Sequence, residues 1–184
     1  VTEPTIRDAE AVPRPLMAET AATLAITYPT RSGDRIILIR RPETMRRHPG
    51  QIAFPGGMIE PSDADSLAAA LRETREEIGL SVPPTLPAVR LTPVATLATG
   101  VVIQPYWVFL PASPRLNPRP AEVARVLRVP VTALRHPGTR GTIPHPRRPD
   151  VEVPAFLWHG ETIWGATYQT LTELLDRLSH VGAG

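Results

Sequence analysis

The chain has 184 residues, enough for one domain that buries roughly 70% of its unfolded surface without covalent staples. It has no cysteine, which excludes disulfides, thiolate zinc sites and thiol nucleophiles, and fits a reducing, cytoplasmic compartment. Lys+Arg 20 against Asp+Glu 18 leave a net charge of +2, and every basic residue is arginine, so a Walker A lysine and Schiff-base chemistry are excluded too.

In chain order, residues 1–20 are proline-punctuated without a period and are expected to form an irregular arm ahead of a single domain over 21–184. Ala22–Tyr28 and Arg35–Ile39 read as strands joined by a turn at Thr30–Asp34. Pro42–Pro49 reads as a loop, and Ile52–Phe54 as a short strand broken by Pro55-Gly56-Gly57. A helix is expected from about Asp63 to Ile78, with Ser62 or Asp63 as its N-cap and Gly79 as its stop. Its stripe of Leu67, Leu71, Thr74 and Ile78 should dock on a sheet. Further strands are expected at Val89–Thr96, Val101–Ile103 and Tyr106–Leu110. Arg115–Pro120 reads as a loop, Ala121–Val126 as a helical turn or extended, and Thr132–Leu134 as a short helix. Pro137–Pro149 reads as a long loop, Val151–Trp158 and Glu161–Trp164 as a hairpin, and Tyr168–Leu178 as a closing amphipathic helix. Strands and helices mix without regular βαβ alternation, which favours a mixed-sheet α/β or α+β sandwich. No apolar run approaches the ~20 residues of a membrane span and no leader is legible, so no membrane association is expected.

The chemistry concentrates in Phe54-Pro55-Gly56-Gly57 and Arg72-Glu73-Thr74-Arg75-Glu76-Glu77-Ile78-Gly79-Leu80. On a helix, Glu73, Glu76 and Glu77 fall at i, i+3 and i+4 and share one side. Three carboxylates so placed repel one another unless a hard cation sits among them, and all-oxygen donors suit Mg²⁺ or Mn²⁺. Arg72 stands four residues before Glu76 and can orient it. Upstream lie Arg31, Arg35, Arg40, Arg41, Arg46 and Arg47; downstream lie Glu60, Asp63, Asp65 and the three glutamates. A basic strand and loop beside an acidic helix can hold an anionic substrate against a cation.

These residues resemble the box of the Nudix hydrolase family: Gly57 fits its first glycine, and Arg72, Glu73, Glu76, Glu77, Gly79 and Leu80 fit its end. Thr74 replaces an apolar residue, Asp63 replaces a glutamate, and the segment before Arg72 is one residue longer. That longer spacing, with Arg41, Arg46, Gly50 and Ile52 ahead of Phe54-Pro55-Gly56-Gly57, resembles the coenzyme A pyrophosphatase branch. Pro120-Ala121-Glu122-Val123 and Ile163-Trp164-Gly165-Ala166-Thr167 resemble further landmarks of that branch. The resemblance implies a Nudix-type α/β/α sandwich with a mixed sheet. It also implies Mg²⁺- or Mn²⁺-dependent cleavage of coenzyme A, and of acyl-CoA, to 3′,5′-ADP and 4′-phosphopantetheine.

The expected metal ligands are Glu73, Glu76 and Glu77, with the Gly57 carbonyl, where no Cβ blocks approach. Glu122 is the first candidate for a general base, with Glu60 and Asp63 as alternatives. Arg41 and Arg46, with Gly56 and Gly57 beside them, are expected to contact substrate, the arginines through their bidentate forks to phosphate. Arg40 and Arg47 are expected to face solvent. His48, His136, His145, His159 and His180 lack zinc spacing, and Trp107, Trp158 and Trp164 read as core. No basic stripe interleaved with aromatics supports nucleic-acid binding. Competing readings are a Nudix enzyme for ADP-ribose, NADH or a dinucleoside polyphosphate, and a nucleotide-binding module without turnover. Monomer and homodimer both stay open.

Overall fold

The structure, a computed structural model, describes residues 18–83, 85–96 and 100–181. Residues 1–17 of the expected arm lie outside the described ones. Thr20 is hydrogen-bonded into the sheet, its N–H donating to Val102 O and its carbonyl accepting from Ile59 N.

The first hairpin pairs β1 (Ala21–Tyr28) with β2 (Arg35–Arg40), Ile26 opposite Ile37. Both strands are apolar on both faces because both faces are covered. Ala22, Leu24, Ile26, Ile37 and Ile39 meet α1 (Ser66–Ile78), while Ala25, Ile36 and Leu38 meet Leu171, Leu174 and Leu175 of α3 (Gly165–Val181). The strand β7 (Val102–Phe109) lies parallel to β1, and the other pairs are antiparallel, so the sheet is mixed and flanked by helices, as expected.

Several elements differ from those expected. Gly56–Met58 is not only a break: it is a strand, β4, antiparallel to β1, following β3 (Ile52–Ala53). The expected strand over Val89–Thr96 is split into β5 (Ala88–Arg90) and β6 (Val94–Ala95), both pairing with β7. Conversely, β7 runs unbroken through Pro105, which sits where its neighbour is interrupted between β5 and β6. Arg125–Pro130 forms β8 on the outer side of β2, followed by the short helix α2 (Val131–Arg135). The expected loop at Pro137–Pro149 holds a 3₁₀ turn and β9 (Arg140–His145). That strand pairs on one side only, with β10 (Arg148–Trp158), and an edge position tolerates Pro144. β9, β10 and β11 (Glu161–Trp164) make a second, three-stranded antiparallel sheet.

The N-cap of α1 is Asp65, whose Oδ1 accepts from Ala68 N at 2.7 Å, rather than Ser62 or Asp63. Gly79 ends the helix at φ 67°. Thr74, the polar departure in the apolar stripe, is buried and donates its hydroxyl to Ala70 O at 2.7 Å, so its polar atom is satisfied. No described helix is long and apolar enough to cross a membrane.

Candidate active site

The turn from β3 into β4 brings Gly56 and Gly57 against both β1 and α1. Gly56 has φ 151°, and a Cβ there would stand 2.3 Å from Ala22 O, so its lack of a side chain lets β4 close on β1. Its N–H then points at α1 and donates to Glu77 Oε2 at 2.9 Å. A Cβ on Gly57 would stand 2.4 Å from Glu73 Oε1, so the Glu73 carboxylate occupies the space beside that backbone.

Glu73, Glu76 and Glu77 are not equivalent. Glu76 is exposed, Glu73 is partly buried, and Glu77 is only 3% exposed. The uneven burial follows from helical geometry. Glu77 lies three residues past Thr74 and seven past Ala70, roughly 60° and 20° around the helix from these buried positions. Its carboxyl is pushed up to about 8, first by burial and then by the charges of Glu73 and Glu122, against the opposing Gly56 N–H and Arg41. Glu73 is also raised, by burial above all, although Arg72 pulls the other way.

Arg72 is held more firmly than an i, i+4 pairing implies. It makes a fork to Asp63, with Nε–Oδ1 and Nη2–Oδ2 both 3.0 Å, and donates to Met58 O. It also reaches Glu73 at 3.0 Å and Glu76 at 3.4 Å. The fork holds the Asp63 carboxyl below its ordinary range. Asp63 therefore anchors Arg72, and of the two alternatives for a base it is the more tightly engaged. Glu60 is 3.8 Å from Arg72.

Arg41 faces the site from the end of β2. Its Nη1 is 3.7 Å from Glu77 Oε1, and its buried Nε has no hydrogen-bond partner among the described residues. Arg46 and Arg47 are exposed in the following loop. Arg40 does not simply face solvent: it pairs with Glu43 at 2.9 Å and with the buried Glu161 at 3.3 Å, and Arg125 also contacts Glu161. The Glu161 part of this network, which ties β2 and β8 to β11, carries no signal in the sequence because Arg40, Arg125 and Glu161 are far apart along the chain. Glu122 sits on the turn before β8, 2.9 Å from Arg119, and its charge is felt by both Glu73 and Glu77.

Among the described residues, no three acidic or histidine side chains converge as a ready metal cage. Glu73 and Glu76 lean on Arg72, and Glu77 on Gly56 N–H and Arg41. The donors nonetheless fit a hard divalent cation in chemistry: all are carboxylate oxygens, two of them belong to carboxyls raised above their ordinary range, and the bare Gly57 lets the Glu73 carboxylate lie against its backbone. The described histidines play local parts. His48 Nδ1 is 2.9 Å from Gln51 Oε1, and His136 and His145 accept from nearby backbone N–H groups. The side chain of His180 lies outside the described ones.

The NUDIX domain family model matches residues 19–147. The chain belongs to the Nudix family. Among its relatives, the uncharacterized Nudix hydrolase NudL of Photorhabdus laumondii is 31% identical over 144 residues, covering 78% of this chain and 76% of the relative. NudL of Citrobacter koseri, likewise uncharacterized, is 30% identical over 154 residues, covering 83% and 80%. The chain is similar in fold to the NUDIX domain of Shewanella oneidensis NrtR, solved with ADP ribose, at a TM-score of 0.61 and 17% identity over 92% of this chain and 95% of that one. It is thus a Nudix hydrolase, whose box residues gather on one helix and the glycine strand beside it.

One consequence of the glycine packing is directly measurable. In Gly57→Ala the flexible Glu73 carboxylate must move aside, so the fold should persist while hydrolysis drops by about tenfold to 100-fold, since misplacing a reacting group by ~1 Å can cost 10². A steady-state assay together with a melting curve checks this. Unchanged turnover would mean that Glu73 need not stand beside Gly57.

Proposed function

We propose that this Nudix hydrolase cleaves the pyrophosphate of coenzyme A, and of acyl-CoA, to 3′,5′-ADP and 4′-phosphopantetheine, with Mg²⁺ or Mn²⁺ held by Glu73, Glu76, Glu77 and the Gly57 carbonyl. The observation that carries the hydrolytic part is the nearly buried Glu77, set beside Glu73 and Glu122 with no full counter-charge. A divalent ion bound there supplies charge neutralisation at the pyrophosphate and a more acidic water.

The chain's own groups account for the rest. Gly56 N–H fixes one oxygen of Glu77, and Arg72, anchored by Asp63, spaces Glu73 from Glu76. Glu122, on its separate turn, accepts the proton of the attacking water. Arg41 offers a buried Nε that an anionic oxygen would satisfy, and Arg46 lies exposed in the loop five residues on. These two arginines, in the spacing that resembles the coenzyme A branch, support a substrate carrying a phosphate beyond the pyrophosphate. ADP-ribose is the second reading, favoured by the similarity in fold to an ADP-ribose-bound Nudix domain. The presence of all three box glutamates speaks against a binding module without turnover.

The test is a panel of coenzyme A, an acyl-CoA, ADP-ribose, NADH and a diadenosine polyphosphate, incubated with Mg²⁺ and resolved by chromatography. Coenzyme A should be turned over best, and Arg46→Ala should raise its KM more than that of dephospho-coenzyme A. Equal KM changes would remove the phosphate role of Arg46. Preference for ADP-ribose would replace the substrate assignment, and no turnover of any member would leave the binding-module reading.

A further inference from the structure

We propose that Arg119 is a positioning residue: it holds the Glu122 carboxylate toward the glutamates of α1, and so acts through the base rather than on the substrate. This inference rests on the reading of Glu122 as the base.

The backbone around Arg119 is fastened to the end of the glutamate-bearing helix. The last turn of an α-helix leaves carbonyls without intrahelical partners. Here Asn117 N donates to Ile78 O and Arg119 N to Glu77 O, both at 2.8 Å. Gly79 permits that approach, since a Cβ on it would lie 2.9 Å from Asn117 Cβ and 3.0 Å from its carbonyl oxygen. Arg119 O then accepts from both Glu122 N and Val123 N, at 3.0 and 2.8 Å, and Val123 is buried in the core beneath α1. The main chain of Arg119 and Glu122 is therefore referenced to the helix that carries Glu73, Glu76 and Glu77.

Only side-chain freedom remains, and Glu122, 31% exposed, has water to turn toward, away from Glu73 and Glu77, whose carboxylates carry like charge once deprotonated. Arg119 Nη1, 2.9 Å from Glu122 Oε1, is the counter-charge that opposes this turn. Arg119 also lines a cavity of about 460 Å³ with Arg75 and Glu76, so direct substrate contact is the competing role.

Kinetics with coenzyme A and with ADP-ribose separate the two. Arg119→Gln should lower kcat about tenfold, a fraction of the ~10²–10⁴ that a general base supplies, with KM within about twofold. Its Tm should stay within about 2 °C, as for a solvent-exposed ion pair. Arg119→Lys should restore part of kcat. In a Glu122→Gln background, adding Arg119→Gln should change nothing further. A KM increase without loss of kcat, or an additive loss in the double variant, overturns the proposal. An inactive Glu122→Gln beside a fully active Arg119→Gln overturns it for Arg119 alone. A fully active Glu122→Gln removes the base assignment and Arg119 with it. A wild-type protein inert toward both substrates defeats the pyrophosphatase reading itself.

Discussion

Glu76→Gln should lower kcat by about 10²–10³ while leaving the melting temperature almost unchanged. The large kinetic effect is expected because a metal ion contributes several kcal/mol of charge stabilisation, at ~1.4 kcal/mol per tenfold in rate, and Glu76 is proposed as one of its ligands. The small stability effect follows from the local structure. Glu76 is the exposed member of the three, on the last turns of α1, and its contact with Arg72 is the looser one at 3.4 Å. Solvated ion pairs of this kind contribute ~0–1 kcal/mol, and Arg72 keeps its fork to Asp63 without it. Steady-state kinetics at saturating Mg²⁺, with a melting curve on the same sample, reads both quantities. Retention of full turnover by this variant would refute the ligand assignment. A large fall in Tm would show instead that Glu76 supports the helix.

Glu77 leads to the second large effect, and here stability is the readout. In the metal-free protein its carboxyl stands at about 8 against an ordinary value of 4.5. Between those values the folded state keeps a proton that the unfolded chain has released, so stability falls as pH rises from about 4.5 to about 8. Each pH unit of that window corresponds to ~1.4 kcal/mol, so the loss is on the order of a few kcal/mol, or roughly 5–15 °C in Tm. Glu73, raised in the same direction, adds to it. Asp63 is lowered, so its contribution has the opposite sign: it is present above its ordinary value of 3.8 and lost as pH falls. Metal-free protein should accordingly be most stable in mildly acidic solution. Glu77→Gln keeps an acceptor for Gly56 N–H and has no charge to desolvate, so its Tm should be flatter across the window and higher than wild type at pH 8. Mg²⁺ should raise the wild-type Tm at pH 8 and raise that of the variant much less. Parallel pH profiles for the two proteins, in chelator, would show that Glu77 does not titrate in this range.

Legibility in the sequence varies with the range of the interactions involved. The helix α1 is readable because its apolar period and Gly79 are local signals, although its cap lies at Asp65. The first hairpin is readable for the same reason. The strands that escape a local reading, β4, β8 and β9, contain glycine or proline or are flanked by proline; β4 and β8 depend on distant partners, β1 and β2, while β9 pairs with the adjacent β10. Local propensity carries no information about such partners. The ion pairs of Asp63 with Arg72, and of Arg40 with Glu161, are hidden likewise, since exposure and partner choice are settled by packing.

What the sequence alone determined is the donor chemistry: three glutamates at i, i+3 and i+4, two glycines before them and arginines upstream, enough to read a family and to expect a hard cation. What only the tertiary structure decided is the inequality of those glutamates. Glu77 is buried because β4 closes over it through Gly56, Glu73 occupies the space Gly57 leaves open, and Glu76 stays in water. The cost of a charge depends on the atoms that exclude water from it, and those atoms come from a strand across the sheet rather than from the helix that carries the charge.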